Sequence, residues 1–112
     1  MEVKGRSAPF GTDLRTRILI LLRLLGSSYP RELSRLLGRS VSVIQKALIG
    51  LERDTLVAAQ TVGRTRTYRL NPRYFALKEL QTYLARLNSA DPDLFKRAAS
   101  LRRRPRAAGK PL

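Results

Sequence analysis

Between Leu37 and Val41 the chain leaves itself only Gly38, Arg39 and Ser40 in which to stop one helix and start another. Glycine adopts the left-handed conformation at a helix C-terminus without steric penalty, and serine accepts a hydrogen bond from the first free N–H groups of the following helix. Apolar residues recur at helical spacing on both sides: Leu33, Leu36 and Leu37 before the corner, Ile44, Leu48 and Leu51 after it. Pro30 suits a first helical position and Glu32 a first turn. Two short helices are therefore folded across a tight corner, and neither can bury its apolar face without further elements.

Those elements are legible on either side. Upstream, Thr12 caps a helix that begins with Asp13, sets Leu14, Ile18, Leu21, Leu22 and Leu25 on one face, and closes at Gly26. Ile20 and Leu24 widen that face beyond what one small core requires, which points to a partner helix. Downstream the period changes to two. LVAAQTV (56–62) and RTRTYRLN (64–71) read as strands joined by a tight turn at Val62-Gly63-Arg64-Thr65. Asn71-Pro72 predicts the cap and first turn of a helix bearing Leu77, Leu80, Leu84 and Leu87, with Phe75, Ala76 and Tyr83 beside them. Asp91-Pro92 opens a short helix through about Leu101, and RRRPRAAGKPL follows as a basic tail. The expected organisation is a flexible arm over 1–11, a packed domain over 12–88, and a short helix with a basic disordered tail over 89–112. The fold class is mainly α with a small β-hairpin.

Charge narrows the function. The 112 residues carry 23 Lys+Arg against 8 Asp+Glu, a formal net charge of +15. Such an excess repels itself in a compact state and calls for a polyanionic partner, nucleic acid first and an anionic membrane surface second. The longest apolar run, Ile18 to Leu22, falls far short of the roughly 20 residues of a membrane-spanning helix. The first residues, MEVKGRSAPFG, hold no apolar signal core, so a cytoplasmic protein is expected. There is no cysteine and no histidine, which excludes disulfides, thiolate or imidazole metal sites, and Ser-His or Cys-His catalytic pairs. The carboxylates Asp13, Glu32, Glu52, Asp54 and Glu79 are scattered and suggest no hard-cation site. Without a Gly-rich phosphate loop either, no catalytic constellation is visible; neither an enzyme nor a cofactor is expected.

The order helix, helix, turn, helix, hairpin, helix resembles the winged helix-turn-helix repressors, above all the ArsR-like superfamily. The residues that carry the resemblance are YPRELSRLLGRSVSVIQKALIGLERDTLV followed by AAQTVGRTRTYRLNP, within a match that covers roughly residues 12–88. In that family the helix after the turn, here 40–53, enters the major groove. The hairpin, here 56–70, is the wing on the flanking backbone, and the first and last helices pair two copies. The resemblance thus implies double-stranded DNA and a homodimer as partners. Metal-sensing members use cysteine and histidine, and this chain departs from them in having neither.

Residues can be assigned on that footing. With Ile44 inward, Ser42, Val43, Lys46 and Ile49 face outward and Gln45 lies on the flank. Ser40 caps the helix, and with Ser42 it can also meet phosphate or bases near the helix N-terminus. Gln45 can read adenine by a bidentate pair, and Lys46 can reach guanine or phosphate. Arg64, Thr65 and Arg66 form a wing tip with no acid nearby in sequence, suited to phosphate contact. Arg69, deeper in the ribbon, is expected to pair with Glu52 or Asp54. Two other readings share the same elements. A winged helix used for protein interaction leaves the basic surface unexplained, and an RNA-binding domain lacks the exposed aromatic platform that single strands stack on.

Overall fold

The computed structural model describes residues 9–90 and 92–102. Among them the chain forms α1 (Asp13–Leu25), α2 (Pro30–Leu37), α3 (Val41–Arg53), the antiparallel strands β1 (Val57–Val62) and β2 (Thr65–Leu70), α4 (Leu77–Ser89) and α5 (Pro92–Arg102). Most of the expected arm (1–8) and of the basic tail (103–112) lies outside the described residues.

α1 is the centre of the molecule. The Thr12 side chain accepts from the Arg15 N–H at 3.1 Å, and Gly26 ends the helix at φ +86. Ile18, Leu19, Ile20, Leu21 and Leu22 are all buried in succession, which no one-sided helix achieves. The widened apolar face is thus covered largely within one chain: α3, α4, α5 and β2 all pack on α1. Ile20 is 3% exposed, while Leu14 and Leu24 stay partly open.

The corner between α2 and α3 forms as its residues dictate. Gly38 sits in the left-handed region (φ +68, ψ 32) with its N–H donating to the Ser34 carbonyl, and the Ser40 hydroxyl accepts from the Val43 N–H at 3.3 Å. Glu32, although nearly buried, accepts a hydrogen bond from the Ser28 hydroxyl at 2.5 Å. α3 ends in a Schellman motif: the Leu56 N–H bonds the Leu51 carbonyl and the Thr55 N–H bonds that of Glu52. Thr55 occupies the left-handed position at φ +65, where glycine is usual.

The ribbon pairs Val57 with Leu70 at its base and Val62 with Thr65 at its tip, around a two-residue Gly63-Arg64 turn with Gly63 at φ +66. Tyr68 also bridges to Ser28 through two backbone bonds of 2.7 and 2.9 Å, so the α1–α2 connection acts as a third strand. Nothing in the alternation of the sequence announces that single paired residue.

Two expectations change. The helix predicted to start at Asn71-Pro72 begins at Leu77. Asn71 is occupied elsewhere: its carboxamide donates to the Thr55 carbonyl and accepts from the Arg73 N–H, both at 2.9 Å, which favours turns over helix for residues 71–76. Phe75 is consequently off the α4 stripe and 92% exposed. In addition, α5 lies beyond the boundary expected at residue 88, yet it puts Leu94 (0% exposed) and Ala98 (3%) into the same core. Arg97 fastens it to α2 by donating to the Leu36 carbonyl at 2.6 Å, one of the carbonyls a helix C-terminus leaves unpaired.

Candidate nucleic-acid interface

α3 has two unlike faces. Ile44, Leu48 and Leu51 are each 0% exposed, anchoring it against the core. Ser42, Val43, Gln45, Lys46, Ile49 and Arg53 are exposed on the other side. Gln45 and Lys46 make no hydrogen bond or ion pair to another described residue, so their donors and acceptors are free for a ligand. Ser40 is exposed at the helix start, its hydroxyl 3.4 Å from that of Ser42. The two hydroxyls stand beside the free N–H groups of the first turn, a setting that attracts phosphate. Val43 and Ile49, exposed beside these polar groups, give the face apolar contact area of the kind a thymine methyl takes.

The wing separates the three tip residues. Arg64 is exposed in the turn, without a hydrogen bond or ion pair to another described residue, and Thr65 is exposed beside it. Arg66 differs from expectation: an acid does lie near it. Its Nε donates to the Tyr68 hydroxyl at 3.0 Å, its guanidinium stands 5.6 Å from the Tyr68 ring centre, and Nη2 lies 3.3 Å from a Glu52 carboxylate oxygen. The bond to the Tyr68 hydroxyl and the electrostatic interaction with Tyr68 raise its pKa above the ordinary arginine value, desolvation opposes them, and Glu52 adds lesser upward contributions.

The partner expected for Arg69 is therefore taken. Arg66, Tyr68 and Leu70 share the ribbon face that looks toward the domain, while Arg69, on the opposite face, is exposed. Asp54 pairs with Arg15 of α1 instead. Sequence separation hides both pairings, since each joins residues of different elements. Arg39 in the corner is exposed directly before α3, and Arg31 and Arg35 are exposed on α2, Arg35 beside Lys96 and Arg97 of α5.

Among the described residues no group of three or more carboxylates could hold a metal, and no helix is long and apolar enough to cross a membrane. The arrangement of free amide, hydroxyl, ammonium and guanidinium groups suits binding to an extended anion.

No family model and no curated protein matches the chain. Two solved structures are similar to it. Reduced HlyU from Vibrio cholerae is 29% identical with a TM-score of 0.52, over 67% of this chain and 75% of that one. A double-mutant ZitR from Lactococcus lactis in apo form is 19% identical with a TM-score of 0.54, over 76% of this chain and 67% of that one. The second likeness speaks to the fold alone. Both neighbours are winged-helix regulators, and the fold of this chain is the winged helix-turn-helix.

Proposed function

We propose that this chain is a sequence-specific, double-stranded-DNA-binding transcriptional regulator, an ArsR-like homodimeric repressor without a metal site, acting in the cytoplasm. One observation carries the reading: α3 buries one face completely and presents Ser42, Val43, Gln45 and Lys46 unobstructed on the other, directly after a capped corner. A helix of that form fits the major groove, with its N-terminal residues against base edges. The wing adds Arg64 and Thr65 as backbone contacts, and Arg66 joins them when phosphate displaces Glu52. The net charge of +15 supplies the long-range attraction.

Support for the homodimer comes from the side where α1 and α4 run together. Arg23 and Leu24 of α1 line a groove with Lys78, Gln81, Thr82 and Ala85 of α4. Beside it Tyr83 is 43% exposed and stacks at a tilt on Phe10, 6.0 Å between ring centres. A two-fold pairing there joins the first helix to the last helix of the matched segment and requires an inverted-repeat site.

The decisive experiment is selection from random duplex DNA, followed by binding to the selected site over a salt series. An enriched inverted repeat, with log K falling by roughly 0.9 per phosphate contact against log salt, supports the reading. Absence of any enriched duplex, or preference for RNA in competition, overturns it.

A further inference from the structure

Arg15 leaves the first turn of α1 and runs across α3. Its side chain occupies a slot walled by two glycines far apart in the chain. A Cβ added to Gly11 would lie 3.7 Å from the Arg15 Cδ, an ordinary contact, whereas one added to Gly50 would come within 3.0 Å of Nη1. The end of the slot is Asp54, the C-cap residue of α3, whose carboxylate pairs with Nη2. The Arg15 side chain is only 20% exposed and its Nε is buried without a partner among the described residues, so its charge depends on Asp54.

This accounts for a glycine in the interior of α3, where helix propensity favours almost any other residue. Gly50 does not have positive φ, so the backbone does not demand it. A Cβ there would instead crowd the Arg15 guanidinium, which would have to give by a few tenths of an ångström. Arg15 is itself held, its N–H capped by Thr12 on a helix that buries Thr16 and Ile18 to Leu22. It therefore grips α3 at two points one turn apart, just beyond the outward-facing Gln45, Lys46 and Ile49.

We infer that Arg15 is a positioning residue: by seating against Gly50 and pairing with Asp54 it sets the angle at which α3 presents Gln45 and Lys46 to the bases. The inference rests on reading α3 as the recognition helix. Base readout demands close placement, whereas phosphate attraction does not. Loss of the grip must then lower discrimination more than it lowers non-specific binding.

The test is a double-mutant cycle with Arg15→Met, which keeps the stem, and Gly50→Ala, in the full chain. Its readout is the ratio of affinities for the selected duplex and a scrambled duplex of equal length. Each single change should lower that ratio about tenfold, and the double variant should lose little more than either alone, since both remove the same contact. An unchanged ratio, or losses that multiply, overturns the inference. A second arm needs no DNA: hydrogen exchange at the amides of residues 50–56 should speed up about tenfold in Arg15→Met, while that of Ile18 to Leu22 stays as it was. If the wild type selects no duplex, the reading of α3 falls, and this arm alone judges whether Arg15 holds the helix. Exchange that rises equally in both regions, or in neither, rejects that role.

Discussion

Arg66 on β2 reaches back to Glu52 on α3, Nη2 to carboxylate 3.3 Å, so the wing is strapped to the helix it flanks. On the proposed reading of the wing, Glu52 competes with a DNA phosphate for the Arg66 guanidinium. Glu52→Gln should therefore free Arg66, raise affinity for duplex of any sequence, and steepen the salt dependence by roughly 0.9, the contribution of one phosphate. Arg64→Ala should flatten it by a similar amount. Titrations over a salt series check both, and a slope unaltered in Glu52→Gln would remove Arg66 from the interface.

Gln45 is exposed on α3 and unpaired among the described residues. Gln45→Ala should weaken binding to the preferred site by about 1–3 kcal/mol and relax preference at one position per half-site. Competition with single-base variants of that site measures it. Uniform weakening on every sequence would reassign Gln45 to backbone contact.

Leu94 has no exposed surface and belongs to the core of α1. Leu94→Ala should destabilise the fold by about 2–5 kcal/mol. Truncation after Asn88 should do more, since it also removes Ala98 and the Arg97 bond to Leu36. Urea unfolding followed by circular dichroism is the check; a truncated chain with the full-length midpoint would make α5 an appendage.

Thr55 carries a left-handed φ of +65 at the end of α3. Because that conformation disfavours a β-carbon by about 1–2 kcal/mol, Thr55→Gly should raise stability, by about 1 kcal/mol once the added freedom of glycine in the unfolded chain is counted. The bond from the Asn71 carboxamide to the Thr55 backbone carbonyl survives the change. A lower unfolding midpoint would show that the threonine side chain contributes more than its conformation loses.

Tyr83 and Leu84 are neighbours on α4 with opposite surroundings, 43% and 0% exposed. A charge at Leu84 enters the protein's own core and unfolds it, so Tyr83 is the position that probes pairing. The wild type should sediment at twice its 12.7 kDa chain mass, and Tyr83→Glu should sediment as a folded monomer with weakened binding to an inverted repeat. A wild-type monomer that protects one half-site rejects the homodimer.

Local chemistry was legible where a residue type permits few alternatives. Gly38 and Ser40 dictate the corner, Gly63 dictates the hairpin turn, and Ile44, Leu48 and Leu51 dictate which side of α3 turns inward. What the sequence concealed depends on meetings between distant segments. The Ser28–Tyr68 bridge involves one residue and so leaves no alternation to read. The delayed start of α4 follows from Asn71 bonding across to Thr55. Ile20 reads as surplus apolar surface until α4 and α5 fold over α1. For the candidate interface, the exposed residues of α3 follow from periodicity, while the strap on Arg66 requires knowing which ribbon face meets α3.

The placement of α5 bears on how the chain reaches its fold during synthesis. α1, which buries more residues than any other element, leaves the ribosome first among the described helices, and its last cover, Leu94 and Ala98, follows only after the corner helices, the ribbon and α4. In the interval the corner helices and the ribbon can assemble around one side of α1 while the other remains wet and adhesive. Translation at roughly 5–20 residues per second makes that interval seconds long. A nascent chain stalled before α5 should accordingly recruit chaperones, and release of α5 should end that association.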